Sequence, residues 1–164
     1  MFAPENIRQL HELLRAQPLA ALGTLHRAEP FVSMVPVALL PAQGRFVVHV
    51  SRLATHTKDM LDHPAVSLML MAPDGGDGTP RERARATFQC DAEPCPPDAP
   101  LHDEARQAYL ARFPDSAELF GFADFSLVLL APRWLRHVGG FGRAGTVMQP
   151  ELAAVLSACD TLAP

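Results

Sequence analysis

Residues 46–62 run Phe46-Val47-Val48-His49-Val50, then Ser51-Arg52-Leu53-Ala54-Thr55-His56-Thr57-Lys58, then Asp59-Met60-Leu61-Asp62. The first five are β-branched or aromatic around one histidine and read as a strand. The later residues read as a short helix that ends before His63-Pro64. The first turn of that helix carries His56 and Lys58. Helix N-termini favour anions, because the macrodipole and the unpaired N–H groups are positive there. Cations in that turn are unfavourable unless they share an external anion, and a phosphate met by hydroxyls and cations is the natural candidate. Lys58 is the only lysine beside thirteen arginines. The competing reading has Thr55 as N-cap and Lys58 solvated, with Asp59 offsetting part of the charge.

Upstream, Pro4–Gln17 reads as an amphipathic helix with Ile7, Leu10, Leu13 and Leu14 on one face, stopped by Pro18. Leu19–Leu25 and Phe31–Leu40 read as strands around a turn near 27–30, with Pro36 marking an edge or bulge. Arg45–Ser51 is a third strand. Downstream, Ala65–Ala72 is apolar on both faces and reads as a central strand. A glycine- and proline-rich loop spans 73–80, and a fifth strand covers about 83–93. Residues 94–100 hold four prolines and read as a stiff linker. A helix around 101–112, a short one after Pro114, strands at 125–130 and 134–138, and a helix over 150–162 complete the chain. Short hairpin links with no βαβ rhythm predict an α+β, mainly β architecture, a closed or nearly closed antiparallel barrel with peripheral helices.

The chain has 164 residues and a net charge of −4, which predicts one domain over 1–164 and argues against a nucleic-acid surface. No apolar run approaches the ~20 residues of a membrane span. Met1–Glu5 has no basic region leading into an apolar stretch, so a cytoplasmic location is expected. Cys90, Cys95 and Cys159 are odd in number and irregularly spaced, so neither a disulfide framework nor a zinc site is indicated. The seven histidines show no metal-ligand pairing, and no metal is expected.

No nucleophile elbow or paired acid and base stands out, so catalytic residues are not assignable, and any reactivity is expected from a cofactor. Arg83 and Arg85 would share one face of the fifth strand and could meet a phosphate or a flavin carbonyl, or simply sit in solvent. Gly139-Gly140-Phe141-Gly142-Arg143 lacks the spacing of a phosphate loop. It reads either as backbone packed against a ring system, with Phe141 or Arg143 touching it, or as a bend.

Five segments in this order resemble the FMN-binding split-barrel proteins related to pyridoxamine 5′-phosphate oxidase, nearest their HugZ-like haem-utilisation branch. They are Pro30–Pro36, Ser51–Lys58, Asp62–Leu68, Ala84–Phe88 and Gly140–Ala144, within a match from about Leu19 to Thr146. The resemblance implies a six-stranded split barrel over about 19–146 and a homodimer with two FMN sites at its interface. By position, Ser33, Met34 and Val35 would line the flavin. His49, Val50 and Ser51 would offer groups to the ring and ribityl chain, and Thr55, His56, Thr57 and Lys58 would hold the phosphate. Arg85 falls where the oxidases place a polar side chain on the flavin. Phe141 and Arg143 fall in a C-terminal segment near the site.

Two departures stand out. The oxidases' Arg-Lys pair ahead of the helix is replaced by Thr55-His56, and their C-terminal substrate-binding arginine pattern is not evident. Haem-degrading members use a tail histidine, and no histidine follows His137. The expectation is an FMN-dependent oxidoreductase acting on a small organic substrate. The alternatives are a haem-binding or haem-degrading protein, or a non-catalytic flavin-binding protein.

Overall fold

The computed structural model describes residues 1–73, 79–140 and 143–159. Helix α1 (Pro4–Ala16) opens on Pro4 and Glu5, closes with Arg15 in its last turn, and buries Leu10, Leu13 and Leu14. Strands β1 (Leu19–His26) and β2 (Glu29–Pro36) form one antiparallel hairpin, and β3 (Ala38–Leu40) and β4 (Arg45–Ser51) form another. Helix α2 (Thr55–Asp62) follows. A second set, β5 (Ala65–Met71), β6 (Arg85–Cys95), β7 (Phe125–Val138) and β8 (Ala144–Met148), is antiparallel as well. Helix α3 (His102–Arg112) and a 3₁₀ segment (Pro114–Gly121) lie between β6 and β7, and α4 (Glu151–Ser157) follows β8. The strand order is β2-β1-β5-β6-β7-β4-β3, with β8 on β7.

The eight strands exceed the six of the expected barrel and the seven read along the chain, because two local changes add a strand and one merges two. Pro36 divides the predicted strand 31–40: β2 pairs with β1, while β3 pairs with β4 at the other end of the sheet. A proline cannot donate to a ladder, and here its position lets one continuous segment serve both margins of a curled sheet. The predicted strands 125–130 and 134–138 are one strand, because a bulge opposite Gln89 and Cys90 carries β7 through Pro132. β8 falls where the sequence suggested only a bend and a tail. α4 ends at Ser157, and residues 160–162 of the predicted last helix lie outside the described residues, as do 74–78 of the predicted loop.

The predicted stiff linker begins two residues late, since β6 runs through Pro94 to Cys95. The Ala92 N–H donates to Pro64 O at 2.8 Å, on the β5 side. The nitrogen of Pro94 faces the same side, beyond the start of β5, so its missing N–H leaves no gap in a ladder.

Two cores result. Inside the curl, Leu22, Phe46, Val48, Leu68, Leu70, Phe88, Leu130 and Leu135 pack with the leucines of α1 and α4. Outside, Val47, Cys95, Leu127 and Leu129 pack under Ala105 and Tyr109 of α3. β5 is interior in strand order, but only Val66, Leu68 and Leu70 are buried, while Met69 and Met71 are exposed. All three cysteines are buried, and none forms a disulfide among the described residues. Among the described residues no helix is long and apolar enough to cross a membrane.

The β1–β2 turn places Arg27 at φ 53° and Ala28 at φ 66°. This is the left-handed pair that two-residue hairpins require and that Asn-Gly supplies with least strain. Arg27→Asn with Ala28→Gly should raise stability by about 1 kcal/mol, read as a shift in urea midpoint at unchanged slope.

Candidate functional site

The link from β4 into α2 is pinned from two sides. Ser51 Oγ donates to Asp124 Oδ2 at 2.5 Å and accepts from the Leu53 N–H at 3.1 Å. The Arg52 N–H donates to Asp124 O at 2.7 Å, and its guanidinium to Ala123 O at 2.6 Å. The N-cap is Ala54, not Thr55, and no side chain caps the helix. The first-turn amides therefore have no intrahelical or side-chain acceptor, and no acidic residue stands in that turn. Thr57 Oγ1 donates to Ser51 O at 2.7 Å, so its proton is committed to the link. Thr55 and Lys58 are left beside the amides, with Lys58 exposed.

His56 is half-buried, and its Nδ1 lies 3.1 Å from Ser33 Oγ on β2. Burial lowers its pKa, which Asp59 opposes, so near neutral pH His56 offers a hydrogen bond more than a charge. Asp59, one turn on, faces inward and is 3 % exposed. It accepts from Thr24 Oγ1 at 2.8 Å, and His26 Nδ1 lies 2.8 Å from its other oxygen. Burial raises the Asp59 pKa, yet the bonds from His26 and Thr24 and the nearby imidazoles hold it below the usual carboxylate value. Asp59 thus seats α2 on β1 and does not neutralise Lys58. Sequence reading missed this trio, although Ala20, Leu22 and Thr24 share the buried face of β1 at a spacing of two.

The remaining predicted site residues separate. Val35 and Val50 point into the inner core, whereas Met34 is 59 % exposed on the outer sheet face. His49 is on the outward side of β4, 7 % exposed and stacked on Phe120 at 3.9 Å and 9°. Its side chain faces the α3 layer, away from the inner core. Arg85, half-buried at the start of β6, donates to Arg81 O at 3.1 Å and Arg83 O at 3.2 Å. Arg143 is largely exposed, 4.0 Å from Glu5. Phe141 lies outside the described residues. The structure brings together Ser33, Thr55, His56 and Lys58, with Ser51 and Thr57 shaping the turn beneath them.

The curled antiparallel sheet, with α2 linking β4 to β5, points to one family of barrels. The chain belongs to the pyridoxamine 5′-phosphate oxidase family, whose description matches residues 7–139. It is 37% identical over 128 residues to the chloroplastic non-canonical haem oxygenase HOZ of Arabidopsis thaliana, a match covering 77% of this chain and 37% of that protein. It thus spans little more than a third of that curated relative's length. A haem-binding protein from Mycobacterium smegmatis superposes with a TM-score of 0.82 at 27% identity, covering 94% of this chain and 62% of that one. HutZ, the haem storage protein from Vibrio cholerae, shares the fold, with a TM-score of 0.70 at 23% identity over 90% of this chain and 95% of that one.

Proposed function

We propose that this protein binds a planar anionic redox cofactor at the start of α2 and works as a cytoplasmic homodimer, with haem the first cofactor to test and FMN the second. The observation that carries the site is the uncapped first turn of α2, free of acid and bearing Thr55, His56 and Lys58. Amides and an ammonium fit a haem propionate or an FMN phosphate equally well. The relatives move haem ahead of the flavin expected from the sequence, because HOZ is named a haem oxygenase and the M. smegmatis protein a haem-binding protein. FMN keeps its support from the family and from the same turn.

The chain's own residues divide the work. The first-turn amides and Lys58 take the carboxylate or phosphate, Ser33 orients the His56 imidazole, and Asp59 fixes the helix. The bound group supplies the redox chemistry, on a small organic substrate in the flavin case or with haem itself as substrate or cargo.

The test is to add haem and FMN separately to the purified chain and follow the visible spectrum through gel filtration. A Soret band that travels with the protein supports haem, and paired flavin bands support FMN. If neither chromophore is retained, the proposal fails. Each charge-assisted contact contributes about 1.5–3 kcal/mol, so His56→Ala with Lys58→Ala should weaken binding at least about tenfold. Unchanged affinity would remove α2 from the site.

The dimer rests on the outer sheet face. Val32 is 67 % exposed, and Leu19, Met34, Met69, Met71 and Met148 are exposed with it on the face of β2-β1-β5-β6-β7-β8. Exposed apolar side chains gathered on one sheet face mark an interaction site. Sedimentation should give twice the chain mass, and Val32→Glu with Met34→Lys should give the monomer mass.

A further inference from the structure

Between the outward face of β4, the start of α3 and the 3₁₀ segment lies a cavity of about 220 Å³. Its wall carries His49, Cys95, His102, Arg106, Phe120 and Ser126, together with prolines and apolar residues, and no carboxylate. His49 is almost fully buried, and its Nδ1 has no hydrogen-bond partner. The Arg106 guanidinium lies 5.1 Å from the centre of the Phe120 ring on which His49 stacks. Arg106 forms no ion pair among the described residues. Asp103, near His102 at 3.3 Å, is on the solvent side and 92% exposed.

One permanent cation and two imidazoles without an acid select an anion. Aromatic and proline walls select a flat apolar body. The volume is ample for a single ring with a carboxylate. His49, Cys95 and His102 do not converge as a metal-ligand set.

We propose that this cavity is a second site, separate from the α2 turn, that binds a small planar carboxylate. Arg106 pairs with the carboxylate, and His49 hydrogen-bonds a polar substituent of the ring. The site does not depend on which cofactor α2 holds.

The probe is benzoate, with benzamide as its uncharged isostere, titrated into the ¹⁵N-labelled full chain without cofactor. Saturable amide shifts are expected at residues 49, 95, 102, 106, 120 and 126. Benzoate should bind about tenfold more tightly than benzamide, the value of one charge-assisted contact. Arg106→Gln should erase that preference and Arg106→Lys should retain most of it. Equal binding of the two probes, shifts elsewhere or none, or an Arg106→Gln chain that folds and still prefers benzoate would overturn the proposal.

Discussion

Asp59→Ala is expected to lower stability by about 3 kcal/mol and to abolish retention of the α2-bound cofactor. The carboxylate is buried against Thr24 and His26, and removing one member of a buried hydrogen-bonded charge cluster leaves the others unpaired. Thr24 is itself buried, so its hydroxyl would have no compensating solvent. The helix would lose its anchor to β1 while keeping Lys58 and the first-turn amides intact. The two effects separate in one experiment. Urea unfolding reads stability, and a haem or FMN titration well below the unfolding midpoint reads the site. A variant that loses stability yet binds normally would show that α2 is positioned by its link to β4 alone. Asp59→Asn should recover part of the stability, since it keeps an acceptor for Thr24.

The second large effect is loss of stability in mild acid. Burial pushes the His49 pKa down to about 4, and burial lowers His137 and His56 as well. The unfolded chain protonates its histidines near 6.5. As pH falls from there, the unfolded state gains protons that the native state refuses, so stability declines between about pH 6.5 and 4. His49 contributes to that decline with the pKa lowered by its burial. Below this window the lowered Asp59 pKa continues the loss, since its stabilising bonds require the ionised form. His49→Phe keeps a ring on Phe120, and His137→Leu forfeits no hydrogen bond, because neither His137 nitrogen has a partner. Both should flatten the decline in urea midpoints measured from pH 8 to pH 4.5. A parallel decline in the double variant would place the acid sensitivity elsewhere.

Much of the fold was legible because its signals are local. The stripe of α1, the period-two pattern of β1 and the β-formers before Ser51 each mark their own element. What escaped was set by partners distant in sequence. Pro36 looked like a flaw in one strand, and only pairing to both β1 and β4 shows that it divides two. The two-sided apolarity of β5 suggested burial on both faces, whereas one face is left open by this chain. At the site, the octet 51–58 marked the helix start correctly but gave the wrong cap. His49 shares that strand yet turns toward α3, because alternation sends Val48 and Val50 the other way. Asp59 looked like a counter-charge to Lys58, although adjacent helical residues point in different directions.

The pairing scheme also fixes an order of assembly. The β1–β2 hairpin, the β3–β4 hairpin and the β5–β8 meander each form through contacts close in sequence, and the β1·β5 and β4·β7 seams join the two hairpins to the meander. The β1·β5 seam is three residue pairs long. Helix α2 lies in the only stretch of chain joining the hairpins to the meander. The late, slow step of folding is then expected to be the docking of the two hairpins on the β5–β8 meander, since distant pairings carry the entropic barrier. The helix proposed to hold the cofactor is the tether across that step, so whatever binds there also acts as a clasp on the closed molecule.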